Sequence, residues 1–135
     1  MSEPLICALH HVAIQTGHFE ESLAFYVEVL GLRLLERRQF KRRQLAWLQA
    51  GSTKIELFSN REGEALALWS DFYCGPVHLA FEVANLDDFL ALAQKRGARF
   101  HPSHPEPFVP PVPNEPRIAF LLGPDGEEVE IRGPV

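Results

Sequence analysis

The chain has 135 residues, of which 46% are hydrophobic and 23% charged, and its 13 basic and 18 acidic side chains leave a net charge of −5. That is the composition of a globular protein of one compact unit or two small modules; it argues against disorder, and its acidic balance against a general nucleic-acid or anionic-membrane surface. No apolar run approaches the roughly 20 residues of a membrane span, the N-terminal MSEPLICALHH lacks the regions of a secretion signal, and two cysteines, Cys7 and Cys74, make no disulfide framework. A cytoplasmic protein with reduced thiols is therefore expected.

Along the chain, the stretch from Leu9 to Thr16 alternates. His11, Ala13 and Gln15 fall on one side of a strand, and Val12 and Ile14 on the other. From Gly17 the period lengthens. Phe19, Leu23, Tyr26, Val27 and Leu30 recur at three- and four-residue steps, the stripe of an amphipathic helix that Gly31 caps. Strands are predicted at about 32–40, 44–50 and 53–59, with QAGST as the hairpin turn between the last two. The segment 60–76, which holds Trp69, Phe72 and Tyr73, leads to a second module. There a strand at 77–83 precedes Asn85, an N-cap, and a helix with Leu86, Phe89, Leu90 and Ala93 as its apolar stripe. Gly97 ends that helix, and ARFHP starts another strand. Residues 101–116 hold seven of the eleven prolines. Proline lacks an N–H donor and fixes φ, so this segment reads as a stiff loop, or as a lid or rim over a pocket. Strands at about 117–122 and 127–132 flank GPDGEE, whose Asp-Gly is a strong turn signal.

The two halves repeat one order of elements. A shift of 67 residues lays His11 on His78, Ala13 on Ala80, Glu20 and Glu21 on Asp87 and Asp88, and Leu23 on Leu90. One deletion later, Gly31 meets Gly97. Each half reads βαβββ, an internal duplication rather than a long repeat array. The expected architecture is α+β, with module 1 at about 5–60 and module 2 at about 76–133 in a single domain.

The repeat also carries chemistry. KIELF places Glu56 on an apolar strand 45 residues after His11, and EVEIR places Glu130 in the same setting 52 residues after His78. In each strand the His or Glu lies opposite the most apolar pair, so helices covering the apolar faces would leave all four side chains on the open side of the sheets. Singly, each is as ordinary as any solvated residue on a polar strand face. Matched across a duplication, two imidazoles and two carboxylates suit a divalent metal that accepts mixed N/O ligands and keeps positions open for substrate.

These motifs, HHVAI, SLAFYVEVLGL, KIELFS, VHLAFEV and GPDGEEVEI, occur in this order over nearly the whole chain. With them the chain resembles the vicinal-oxygen-chelate (VOC) superfamily, the glyoxalase/bleomycin-resistance/dioxygenase fold of paired βαβββ modules in a cupped mixed sheet, and within it small bacterial glyoxalase I (lactoylglutathione lyase)-like proteins. The resemblance implies one divalent ion per site (Ni, Zn, Co or Mn) held by His11, Glu56, His78 and Glu130, with His10 pointing the other way. It implies a small-molecule substrate such as a glutathione hemithioacetal, no nucleic-acid or membrane partner, and a homodimer, with the site formed within one chain or between two. It also implies proton transfer, with Glu130 as the leading base and Glu56 as its symmetric counterpart.

Glu56 separates this chain from relatives with glutamine or no ligand at that place. Asn60 matches a glyoxalase I position that contacts glutathione, whereas Gln15 stands where those enzymes carry an arginine; Arg117 is a candidate rim charge. The run ERRQFKRR reads as a solvated hairpin or as a site for an anionic tail, and His101 and His104 as surface residues. Three other readings stay open: an epimerase or oxygenase of the same fold, a non-catalytic resistance-type binder using Trp47, Phe58, Phe72 and Tyr73 around a planar ligand, and an interaction domain.

Overall fold

A computed structural model describes residues 5–60, 65–67, 70 and 74–134; Trp69, Phe72 and Tyr73 lie outside them. The first strand, β1 (His11–Thr16), runs parallel to β4 (Thr53–Ser59), with Ala13 opposite Glu56 and Gln15 opposite Phe58. Between them come α1 (Phe19–Ala24), a wider π turn (Phe25–Val29), and the meander of β2 (Arg33–Phe40) and β3 (Arg43–Ala50). The sheet order is β1-β4-β3-β2. Its hairpin turns sit at Lys41 and Gly51, both with positive φ, which the β-branched and apolar residues of the strands would not adopt.

The helix in module 1 is thus shorter than its apolar stripe predicts. The Leu30 N–H reaches back to the carbonyl of Phe25, and that of Leu32 to Tyr26. Both neighbours at the start of this turn, Phe25 and Tyr26, are buried.

In module 2, β5 (Leu79–Glu82) pairs parallel to β7 (Glu128–Gly133), and β6 (Arg117–Leu122) pairs antiparallel to β7, giving a three-stranded sheet β5-β7-β6. Helix α2 (Leu86–Lys95) is capped by Asn85, whose Oδ1 accepts the N–H of Asp88 at 2.9 Å. The fold is α+β with two mixed sheets, as expected, but the strand predicted at ARFHP is only a stub. Phe100 bridges to Leu121, and Pro102 then stops the ladder by lacking a donor. The segment returns at Phe108, which exchanges two backbone hydrogen bonds of 2.9 Å with Ile118. The proline-rich stretch is therefore stitched to β6 at its start and at its middle.

One core serves both modules: Phe19, Leu23, Leu48, Ile55 and Leu57 cluster with Leu86, Leu90, Leu121, Val129 and Ile131. Each such side chain contributes roughly 1.5–3 kcal/mol by leaving water. Because strand side chains alternate, Glu56 and Glu130 lie on the faces turned away from this core. A polar clamp joins the halves where the β6–β7 turn meets the end of β1. Asp125 Oδ1 accepts the N–H of Gly17 at 3.0 Å and its Oδ2 the hydroxyl of Ser22 at 3.5 Å, while the Tyr26 hydroxyl donates to Glu127 at 3.3 Å. Among the described residues no helix is long and apolar enough to cross a membrane, and Cys7 and Cys74 are free and exposed.

Candidate functional site

The first pair forms on β1 and β4. His11 Nε2 lies 4.0 Å from Glu56 Oε1, and the His11 ring stands edge-on to Trp47, centroids 4.9 Å apart. Trp47 is the β3 residue directly opposite Glu56, so the sheet register alone sets tryptophan, carboxylate and imidazole side by side. His10 does not point away as expected. Its Nδ1 lies 2.8 Å from Nδ1 of His11, and its ring is also near Trp47. His10 precedes the first ladder residue, so its ring is free to swing over the strand's open side. One of these two nitrogens donates to the other, which holds the His11 ring so that Nε2 faces the carboxylate.

The second pair is its counterpart: His78 Nε2 lies 3.5 Å from Glu130 Oε1. Glu130 is buried, and its other oxygen faces Arg132 Nη1 at 3.7 Å; Arg132 in turn pairs with Glu115 of the proline-rich segment. Phe120, opposite Glu130 on β6, meets the His78 ring edge-on at 5.3 Å. Against Phe120 stacks His104, and against His104 stacks Phe108. His101, with only 12% of its side chain exposed, lies 3.8 Å from the buried Glu128, and Ser103 Oγ donates to that same carboxylate at 2.8 Å. His101 and His104 are therefore not surface residues; they dock the proline-rich segment as a rim along the Glu130 face.

Each module thus assembles its own imidazole–carboxylate pair, and the two pairs sit on separate sheets. Among the described residues no three of His, Cys, Asp or Glu gather closely enough to hold a metal ion. Each pair offers one neutral-nitrogen and one carboxylate donor, which fits half the shell of a borderline divalent ion. A cavity of about 530 Å³ opens between the modules. It takes in Gln15, Tyr26, Val77, His78 and Glu127, and reaches neither His11, Glu56 nor Glu130. At its wall, burial pushes the Glu127 carboxyl up from its ordinary value, and burial together with the Glu127 charge pushes the Tyr26 phenol up.

The remaining candidates separate clearly. Gln15 shares the face of His11, and its Oε1 accepts from Arg43 Nη2 at 2.5 Å. Asn60 follows β4 on the side of Glu56, and its backbone N–H donates to the Thr16 carbonyl at 3.1 Å. Arg117 is not a rim charge of this site. It alternates with Phe120 onto the helix side of β6 and pairs with Asp87 at 3.4 Å. The basic run also divides, with Arg37 paired to Glu20, Arg38 to Glu36 along the outer strand, and Arg43 turned onto the Glu56 face, over Phe58. Sequence reading took Arg43 only as one member of the basic run and gave Arg132 no role, although both follow the alternation that placed Trp47 and Glu130.

Comparison with known proteins agrees with the fold. The family model for the Glyoxalase/Bleomycin resistance protein/Dioxygenase superfamily matches residues 8–131. The chain is 30% identical over 129 residues to a lactoylglutathione lyase of Neisseria meningitidis, covering 90% of this chain and 87% of that one. It is 29% identical to the uncharacterized protein YwkD of Bacillus subtilis, over 94% and 97% of the two chains. A crystal structure of a glyoxalase family protein from Enterococcus faecalis matches with a TM-score of 0.77 at 26% identity, over 93% and 96% of the chains.

Proposed function

The chain belongs to the Glyoxalase/Bleomycin resistance protein/Dioxygenase superfamily, and on that premise we propose that it is a metal-dependent lyase of the glyoxalase I kind, active as a homodimer. The observation that carries the reading is the pair of matched half-sites, His11–Glu56 and His78–Glu130, built at equivalent strand positions yet on separate sheets. A second copy placed head to tail brings the His78–Glu130 pair of one chain to the His11–Glu56 pair of the other. Two such sites then form per dimer, each with two imidazoles and two carboxylates.

A divalent ion held there supplies Lewis-acid stabilisation of the negative charge that develops on adjacent substrate oxygens. The chain does the rest. Glu130 takes the proton from the carbon that bears the hydroxyl and sulfur of a hemithioacetal and returns it to the neighbouring carbonyl carbon. The hydroxyl proton passes between the two oxygens, so the product is a 2-hydroxy thioester and no oxidant is needed. Arg132 and Glu115 hold the Glu130 carboxylate in place, which pre-aligns the base. Phe120, His104 and Phe108 wall that side and exclude water from the transfer. Glu56, the counterpart base, faces the other carbon.

The test is metal content after loading with nickel, zinc or manganese and removing free ion. One equivalent per chain is expected, and none in His11→Ala or His78→Ala. Refolding those two variants together should recover half of the sites expected for mixed dimers, because one of the two sites then has all four ligands. Absence of metal from the unaltered protein rejects the reading, and metal without recovery on mixing rejects the shared site. With metal bound, a Glu130→Gln variant as active as the parent on a hemithioacetal excludes Glu130 as base.

A further inference from the structure

On the reading that small molecules are bound at the His11–Glu56 half-site, we propose that Arg43 is the residue that selects among them, by gripping a carboxylate at the far end of the substrate. The hairpin register sets Arg43 on the face of Trp47 and Glu56, and its guanidinium carbon lies 4.5 Å from the centre of the Phe58 ring. Phe58 follows Glu56 by two residues on the same face, so the guanidinium stands about 7 Å along the strand from the carboxylate of the half-site.

The hydrogen-bond partners of this arginine are two neutral oxygens. Nε donates to the Ser59 carbonyl at 3.0 Å, and Nη2 donates to Gln15 Oε1 at 2.5 Å. Both acceptors are neutral. Arg37, Arg38, Arg117 and Arg132 each lie against a carboxylate, whereas Arg43 has none among the described residues. A guanidinium has five N–H groups, and two are used. Those left include the end-on Nη1 and Nη2 pair, two parallel donors of the spacing that a carboxylate accepts in two-pronged fashion. Stacking on Phe58 and the two neutral contacts fix the plane of the group without neutralising it, so little side-chain freedom remains to be lost on binding. The geometry therefore fits an anionic substrate whose carboxylate sits roughly 7 Å beyond its reacting oxygens.

The experiment uses the metal-free protein, so that it does not depend on the proposed reaction. Binding of 3-phenylpropionate and of its neutral isostere 3-phenylpropionamide is measured by calorimetry at low ionic strength. The acid should bind roughly tenfold more tightly than the amide, the worth of a charge-assisted pair of hydrogen bonds. That preference should vanish in Arg43→Gln, fall only in part in Arg43→Lys, and persist in Arg117→Gln, which removes the same charge from the helix side. The Arg43 Nε–H resonance should move with the acid and not with the amide. Equal binding of acid and amide, no binding of either, or a preference that survives Arg43→Gln overturns the assignment. Metal uptake by Arg43→Gln should equal that of the parent. If the parent takes up no metal while the acid preference holds, the lyase reading fails and the anion site stands.

Discussion

Thr16 is the position where the join between the modules can be weighed most directly. It ends β1, is completely buried, and its hydroxyl lies 2.7 Å from that of Ser22, itself only 1% exposed. The same oxygen accepts the N–H of His18 at 3.0 Å, and Ser22 passes on to Asp125 of the other module at 3.5 Å. Thr16→Val keeps the shape and deletes the hydroxyl. His18 N–H then loses its acceptor at the edge of the site, and the buried Ser22 loses one of two partners. At about 1 kcal/mol for each lost hydrogen bond, and more where a buried group is left unpaired, the substitution should destabilise by about 2–3 kcal/mol. For a chain of this length that is a fall in Tm of roughly 6–12 °C. Thr16→Ser keeps the hydroxyl and loses a methyl, and should cost about 1 kcal/mol. Urea unfolding followed by circular dichroism, at one protein concentration so that any association equilibrium is held fixed, gives both values from the midpoints at unchanged slope. A Thr16→Val protein within about 0.5 kcal/mol of the parent, or a serine variant as unstable as the valine one, would refute the hydrogen-bonded join.

Two further outcomes follow from local geometry. The folded Glu127 carboxyl is raised by burial, so the fold favours its protonated form; that contribution is full at acid pH and is lost as pH rises through the raised value. Glu127→Gln, which can still accept from the Asp125 N–H, should therefore gain stability relative to the parent between mildly acidic and neutral pH, and a pH-independent difference in urea midpoints would show the burial effect to be absent. Asn85→Ala removes the side-chain acceptor at the start of α2 and should cost about 1 kcal/mol, with Asn85→Asp close to the parent, as read from the same unfolding curves.

Much of this molecule is legible in its sequence where the determining forces are local. Alternation set the two faces of β1, β4 and β7, glycines marked Gly31 and Gly97 as helix ends, and the duplication paired His11 with His78 and Glu56 with Glu130. What escaped depends on contacts distant in sequence. The π turn exists where Tyr26 reaches Glu127, a hundred residues on, and no 3.6-residue period announces that. His101 and His104 looked exposed because they neighbour prolines. They are held by Glu128 and Phe120, and the only local hint was that Glu128 shares a face with Glu130. Arg117 and Arg43 were each one of several arginines. Only the strand register, which turns one to helix α2 and the other onto Phe58, tells them apart.

The outer strand β2 carries a consequence for life in a crowded solution. All eight of its residues are exposed, among them Leu34, Leu35 and Phe40, and its free edge could recruit any extended segment that passes. A break in register between Leu34 and Glu36 bends that edge, and Arg33, Glu36, Arg37 and Arg38 charge it. Bends and charges of this kind block strand-to-strand addition, the route by which open sheets aggregate. An edge so bent and charged is thereby kept from extending its sheet from one copy of the chain to the next.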